Sequence, residues 1–205
     1  MSSFETLIAS LVRSLGGDPP PAAVATFLTE LARWGAKLRL TGAREPAALT
    51  EVALADAVIL ADENVIPRGV HFVDVGAGAG APSLPLVLLR PDLRATLIEP
   101  LQKRVSFLRT MIGTLELQDR VVVRAERVQA VHERFDLALS RATFAPAEWF
   151  PIGSALAPEV LVMTAGPAWD GADRVAERRY ELPFSHAPRW VGRFRSATGG
   201  AAEPR

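Results

Sequence analysis

The sequence predicts an α/β protein with a mostly parallel sheet that carries helices on both faces and follows a helical region. Three observations predict this class. Apolar residues recur at helical spacing over residues 1–66, and short apolar runs then alternate with helical segments up to residue 198. Three alternating glycines stand directly after the first apolar run. No stretch of about 18–20 apolar residues occurs, so we expect no membrane span.

Three helices are expected in the N-terminal region. Gly16 follows the first apolar stripe and ends it, while Pro46 can occupy the first turn of the third helix. The three predicted helices cover residues 4–15, 24–38 and 46–61.

Seven apolar runs predict the strands of the sheet. Five are expected to be parallel, and they read, in order, VHFVDV, ATLIEP, RVVVRAE, FDLALSR and EVLVMTAG. RRYELPF and RWVGRFRSA predict a terminal antiparallel pair, and the segments APSLPLVLLRP, LQKRVSFLRTMIGTL and EWFPIGSALAP predict intervening helices. We therefore expect a helical region over residues 1–66, a sheet domain over residues 67–198 and a flexible tail over residues 199–205.

Composition and charge narrow the function classes. The chain has no cysteine and no charged, apolar secretory signal at its start, which favours the cytoplasm. Its 23 basic and 23 acidic residues balance, so RNA binding would depend on a local basic patch. No histidine has a metal-ligating partner at usable spacing, and we expect a monomer without a bound metal.

The segment FVDVGAGAGAP carries the first functional signal. Gly76, Gly78 and Gly80 can adopt positive φ and offer bare backbone to a ligand beyond the carboxyl end of a strand. Gly76, Gly78 and Ala81 match the dinucleotide pattern GxGxxG/A, whereas the pattern from Asp74 to Gly80 is also typical of S-adenosylmethionine loops. The acid two positions before the glycines and the long helical region upstream favour S-adenosylmethionine over a dinucleotide.

Acids also stand at the ends of the next two strands. Glu99 can accept two hydrogen bonds from a ribose diol, and Ala125 with Glu126 can contact an adenine. Each could instead be an ordinary solvated residue at a strand end.

Several segments resemble one known family. DVGAGAGAPSLPL resembles DVGSGAGFPGIPL, and RPDLRATLIEPLQKRVSFLR is similar to RPDLQVTLLDSLNKRVAFLR. RAE and SRA follow at the expected spacing, and RWGAKLRLTGAREP upstream is similar to KWNKKMNLTAIRDP. These segments, from about Leu28 to Gly166, resemble the bacterial 16S ribosomal RNA guanine-N(7) methyltransferases, called RsmG or GidB. The resemblance implies a Rossmann-like class I methyltransferase that uses S-adenosylmethionine on rRNA of the small ribosomal subunit.

The resemblance also implies site residues. The combined cofactor-binding set is Asp74, Gly76, Gly78, Gly80, Ala81, Glu99, Ala125, Glu126 and Arg141. No catalytic residue is assigned, because guanine N(7) has a lone pair and no proton, so the transfer depends on positioning. Arg141, expected at the mouth of the site, is the candidate for that positioning, although it could form a surface ion pair instead.

Basic and aromatic residues near the expected site mouth are the candidates for RNA binding. They are Lys37, Arg39, Lys103, Arg104 and Phe144. Phe144 could stack on a flipped-out base or pack in the core, and the basic residues could simply be solvated.

The chain departs from the family pattern on the expected substrate side. The third helix keeps only Asp56 of the family segment RHFLDSL, Ala165 replaces a lysine before glycine, and Arg39 replaces the asparagine of NLT. Two alternatives therefore stay open: a small-molecule or protein acceptor, and a non-catalytic relative that binds cofactor or RNA.

Overall fold

A computed structural model describes residues 3–196 of the chain. Its helices are α1 (Ser3–Ser14), α2 (Ala22–Leu38), α3 (Pro46–Leu60), α4 (Ser83–Leu89), α5 (Gln102–Thr114) and α6 (Pro146–Ser154), with a short 3₁₀ helix at Val128–Ala130. Its strands are β1 (His71–Val75), β2 (Arg94–Ile98), β3 (Val121–Arg124), β4 (Leu137–Leu139), β5 (Glu159–Thr164), β6 (Arg174–Glu181) and β7 (Pro188–Arg195).

The strands form one seven-stranded sheet in the order β3-β2-β1-β4-β5-β7-β6. Strands β1 to β5 are mutually parallel, whereas β7 pairs antiparallel with both β5 and β6. The α/β class and the mostly parallel seven-stranded sheet are confirmed. The predicted start of β6 was wrong: the segment RRYELPF placed the strand at residues 178–184, but it already begins at Arg174. The first part of this edge strand is largely exposed, and its two apolar residues, Val175 and Ala176, are adjacent, so no alternation of apolar residues marks it.

Alternate residues of the central strands face two separate cores. Phe72 and Leu137 belong to a large cluster that includes side chains of α1 to α5. Their neighbours Val73 and Ala138 belong to a second cluster with Trp149 of α6. This alternation places helices on both faces of the sheet, as the period of a strand requires.

The N-terminal helices share the larger core with the sheet domain. Leu11, Leu28 and Leu54, one from each of α1 to α3, are fully buried in the same cluster as Leu86 of α4 and Leu108 of α5. Fully burying one such side chain stabilises the fold by roughly 1.5–3 kcal/mol. The division at residues 66 and 67 stays a prediction, and the predicted tail over residues 199–205 lies outside the described residues.

Buried Arg90 forms hydrogen bonds with the connector between α3 and β1. Its guanidinium donates to the carbonyls of Ala61 and Ile66 at 3.0 and 3.1 Å, and it forms two hydrogen bonds of 2.7 Å with Asp92. The arginine lowers the pKa of Asp92 well below its usual range through these hydrogen bonds. The connector therefore holds α3 in a defined position beside the sheet.

Within residues 3–196, every helix falls short of the length and apolar character that a bilayer crossing requires.

Candidate active site

The glycine loop between β1 and α4 exposes backbone atoms rather than side chains. Gly76, Gly78 and Gly80 have φ of 78°, 57° and 78°, which L side chains rarely adopt. A Cβ at Gly76 would collide with Thr143, and one at Gly80 would lie 2.6 Å from Leu84. At Gly78 the nearest atom is the Gly76 carbonyl oxygen, 3.8 Å away. Gly78 therefore presents an open backbone face, while the other two glycines permit close packing around it.

Glu99 joins the end of β2 to this loop. Its Oε2 accepts a hydrogen bond of 2.9 Å from the Gly78 amide, and Oε1 accepts one of 2.9 Å from Leu101. The residue is 1% exposed, and the Arg104 guanidinium lies 3.6 Å from Oε2. Each carboxylate oxygen has capacity for a second hydrogen bond. Glu99 does not line the loop cavity itself, so its contact with a ribose stays a prediction.

Asp74 lies beneath the loop rather than at its open face. It is 1% exposed and accepts a hydrogen bond of 2.6 Å from the Ser83 hydroxyl at the start of α4. Burial raises the pKa of Asp74 to about 6. The side chain therefore links β1 to α4, and a direct cofactor contact stays a prediction.

Arg141 follows β4 and connects three separate elements. Its Nη1 donates to the Val52 carbonyl at 2.6 Å and to Asp56 Oδ2 at 2.9 Å, both on α3. The Tyr180 hydroxyl on β6 donates to Asp56 Oδ1 at 2.6 Å. Burial, and then the charge of Asp56, raise the pKa of Tyr180 well above its usual range. Arg141 is thus held against α3 by a partly buried network.

Two cavities meet at this arginine. The first, called here the loop cavity, has a volume of about 260 Å³ and is lined by Gly76, Gly78, Ala81 and Arg104 together with side chains of α2 and α3. The second, called the side cavity, has a volume of about 300 Å³ and lies between α3, the end of β5 and strands β6 and β7. Val52, Arg141 and Ala142 line both cavities. A ligand in one cavity would therefore lie beside a ligand in the other.

The predicted adenine contacts stand at the same sheet edge but outside the loop cavity. The Glu99 amide donates to the Arg124 carbonyl at 3.2 Å, which places the residues after β3 beside the end of β2. The Glu126 carboxylate pairs with Arg124, and neither Ala125 nor Glu126 lines the loop cavity. Their contact with a cofactor stays a prediction.

The basic RNA candidates lie in different surroundings. Lys37 is exposed, with its ammonium 5.4 Å from the ring centre of Trp34, and exposed Arg39 ends α2 with φ of 54°. Lys103 is exposed on α5, whereas Arg104 turns to Glu99 and lines the loop cavity. Arg104 therefore belongs to the candidate cofactor site, and an RNA role for the four residues stays a prediction.

Phe144 packs on the protein core. It is half-buried, and its ring lies nearly parallel to that of Trp149 at 5.9 Å between ring centres. One face of the ring is therefore already in contact with protein. Its proposed stacking on a base stays a prediction.

Sequence reasoning missed two functional candidates of the side cavity, Glu51 and Tyr180. Glu51 is 6% exposed and accepts hydrogen bonds from the amides of Phe184 and Ser185 at 2.6 and 3.0 Å. The sequence did carry a signal for these residues. Two acids, Glu51 and Asp56, flank the apolar segment VALA of α3, and Tyr180 is the chain's single tyrosine. Among residues 3–196, no three histidine, aspartate or glutamate side chains come together in a way that could hold a metal ion.

Comparison with known proteins decides the family. A family model described as GidB, rRNA small subunit methyltransferase G, matches residues 22–159. The chain belongs to this family. A ribosomal RNA small subunit methyltransferase G of Anaeromyxobacter dehalogenans strain 2CP-1 is 33% identical over 212 residues, covering 94% of this chain and 98% of the relative. The protein of the same name from Myxococcus xanthus is 31% identical, covering 93% of this chain and 96% of that relative.

The fold of this methyltransferase G family chain also resembles the folds of solved structures. One is the C-terminal domain of precorrin-6Y C5,15-methyltransferase from Rhodobacter capsulatus, with a TM-score of 0.50 and 17% identity over 68% of this chain and 88% of that one. Another is a tRNA methyltransferase of M. jannaschii, with a TM-score of 0.53 and 11% identity over 69% and 47%. At these identities the likeness shows the Rossmann-like methyltransferase fold alone. The family assignment depends on the relatives above.

Proposed function

We propose that the chain transfers a methyl group from S-adenosylmethionine to N(7) of a guanine in 16S rRNA of the small ribosomal subunit, as a cytoplasmic monomer. The observation that carries this proposal is the open glycine loop, hydrogen-bonded to buried Glu99, in a chain of the methyltransferase G family. The second cavity beside it provides room for an acceptor.

The residues around the loop cavity fit this cofactor. Gly78 lets a ligand approach the backbone closely, and Glu99 can accept a ribose hydroxyl in addition to the Gly78 amide. Leu31 and Leu40 also line the loop cavity and give it apolar surface. When bound, S-adenosylmethionine supplies a methyl group on a positively charged sulfur that a lone pair can displace in line.

The protein's part in such a transfer is positioning. Guanine N(7) has no proton to lose, so no general base is required, and correct orientation can supply several kcal/mol of the barrier. Arg141 stands where both cavities meet and is held there by Val52 and Asp56. The Asp56 carboxylate also offsets the charge of the guanidinium, which matters because positive charge moves onto the base during transfer.

One observation favours a second candidate acceptor. Ala165 lines the side cavity at the position where the family pattern has a lysine, so a cation is missing there. A small-molecule or protein acceptor with the same cofactor is therefore the alternative.

Transfer of a tritiated methyl group tests the proposal. The chain, with radiolabelled S-adenosylmethionine, is offered naked rRNA, whole small ribosomal subunits and a metabolite extract in parallel. We expect label in 16S rRNA, recovered as N(7)-methylguanosine after digestion. Label found only in metabolites or protein would move the function to the alternative acceptor. Tight cofactor binding without any transfer would indicate the non-catalytic relative.

A further inference from the structure

We infer that the side cavity reads the Watson–Crick edge of the acceptor guanine, with Glu51 accepting hydrogen bonds from N1–H and the N2 amino group and Arg141 donating to O6. This inference rests on the proposed function and deepens it. It assigns base specificity to Glu51, a residue of α3 that lines the side cavity.

Glu51 has an unused acceptor in an apolar setting. Its Oε1 accepts the two amides of Phe184 and Ser185, but its Oε2 accepts no hydrogen bond from any residue in 3–196. The residue is 6% exposed. This oxygen is free to accept hydrogen bonds from a ligand in the side cavity, and hydrogen bonds to a charged carboxylate are stronger than those between neutral groups. Asp56, by contrast, has both oxygens engaged, by Arg141 and Tyr180.

Arg141 supplies unused donors on the same cavity. Only its Nη1 donates within the described part of the chain, to Val52 and Asp56. Its Nε–H and Nη2–H groups therefore remain for a ligand. The charged residues that line the side cavity are Arg141 and Arg189, Glu51 with one oxygen unused, and Asp56 with both oxygens engaged.

This polarity matches guanine and opposes adenine. Guanine offers an acceptor, O6, next to two donors, N1–H and the N2 amino group, whereas adenine offers an amino donor next to an acceptor nitrogen. Adenine in the same position would place its amino group against Arg141 and its ring nitrogen against Glu51. Unpaired groups of this kind disfavour the wrong base more strongly than matched groups favour the right one.

The size and lining of the side cavity suit a single unstacked base. Val52, Met163 and Leu182 provide apolar walls, and a polarizable methionine sulfur packs well on an aromatic ring. The volume of about 300 Å³ stands at the lower end of the range for small-molecule sites. Guanine N7 and O6 share one edge of the base, so an O6 held by Arg141 at the junction brings N7 towards the loop cavity.

The Glu51→Gln variant tests this inference. Its amide oxygen can still accept the Phe184 and Ser185 amides, but its amino group replaces the acceptor that faces the cavity. We expect kcat/KM on rRNA to fall roughly 10- to 100-fold, with the cofactor Kd and Tm close to those of the unmodified protein. Glu45→Gln, at the exposed residue that precedes α3, is the matched control and should retain full activity.

A second measurement separates base reading from a structural role. Once the modified nucleotide is mapped, rRNA ligated with inosine at that position lacks the N2 amino group. The unmodified protein should lose activity on it, whereas Glu51→Gln should lose little more, so the two changes are not additive. Full activity of Glu51→Gln on guanine, or equal losses on inosine for both proteins, would overturn the inference while leaving the proposed function standing. If the unmodified protein labels no rRNA, the proposed function itself fails, and this inference with it.

Discussion

The two sides of the site, the glycine loop and the Arg141 network, are built in different ways. The loop side uses backbone from one short segment, with φ near 60–80° at three glycines and a hydrogen bond from Gly78 to Glu99. The other side uses side chains from distant segments, since Arg141 and Tyr180 stand 85 and 124 residues from their shared partner Asp56. The loop side should therefore tolerate least change in backbone, and the network side should respond to changes of charge and hydrogen bonding.

Gly78→Val should produce the largest effect and would break the loop side alone. A β-branched residue is strained at φ of 57°, and its side chain would occupy the open face of the backbone. We expect the Kd for S-adenosylmethionine, measured by calorimetry, to rise about a thousandfold or more, because the ligand could no longer approach the loop.

Gly69→Val is the matched control for this change. Gly69 also has positive φ, 71°, and nothing stands within 4 Å of the added Cβ, but it lies outside the loop cavity. It should show the same backbone strain and no loss of cofactor binding. Unchanged cofactor affinity of Gly78→Val would place the cofactor elsewhere in the protein.

Asp74→Asn should change the free energy of unfolding by up to about 3 kcal/mol, because burial raises the pKa of Asp74 from 3.8 to about 6. The pKa of Asp74 is raised from 3.8 to about 6, so the folded state favours the protonated form. The contribution of Asp74 to stability is therefore greatest below pH 3.8 and is lost as the pH rises through about 6. The variant should be more stable than the unmodified protein at pH 8 and equal to it near pH 4.

Denaturant unfolding at several pH values measures this difference, and calorimetry shows whether the cofactor is affected. Asparagine can still accept the hydrogen bond from Ser83, so cofactor binding should change little. A large loss of affinity at unchanged stability would mean that Asp74 contacts the cofactor directly. That result would move this residue from a supporting position to the binding face.

The difference between the two sides also explains how much of the fold and of the candidate site could be predicted from the sequence. The parallel strands and the glycine loop could be read from the sequence because apolar periodicity and positive φ are properties of neighbouring residues. The start of β6 could not be predicted, because this largely exposed edge strand shows no alternation of apolar residues. Glu51 was missed for another reason: its partners Phe184 and Ser185 are more than 130 residues away, and only the fold brings them together.

Asp56→Asn should break the network side with a smaller effect. It removes the charge that pairs with Arg141 and turns an amino group towards either Arg141 or Tyr180. We expect kcat/KM on rRNA to fall about 10- to 100-fold and the free energy of unfolding to fall by about 1–3 kcal/mol. The cofactor Kd should change less than about fivefold, since Asp56 does not line the loop cavity.

Asp170→Asn serves as the control for Asp56→Asn. Asp170 pairs with Arg174 at 2.6 Å, but its side chain is 73% exposed, so its removal should cost well under about 1 kcal/mol and leave activity intact. If both variants lose the same activity, the effect of Asp56 is not specific to the site. If Asp56→Asn instead abolishes cofactor binding, the separation between the two sides is wrong.

Tyr180→Phe should have the smallest effect and would sharpen the comparison within the network. The phenol donates one hydrogen bond of 2.6 Å to Asp56, while the carboxylate keeps its contact with Arg141 at 2.9 Å. We expect the free energy of unfolding to fall by about 1–2 kcal/mol and kcat/KM only two- to fivefold, because Arg141 keeps its charge partner. An activity loss as large as that of Asp56→Asn would mean that the Tyr180 hydroxyl itself touches the acceptor.

Because Tyr180 is the single tyrosine of the chain, the ultraviolet absorbance of its phenolate gives an independent check of the contact with Asp56. Burial and the charge of Asp56 raise the pKa of Tyr180, so phenolate should form in the folded protein only far above its usual range, and at lower pH in Asp56→Asn than in the unmodified protein.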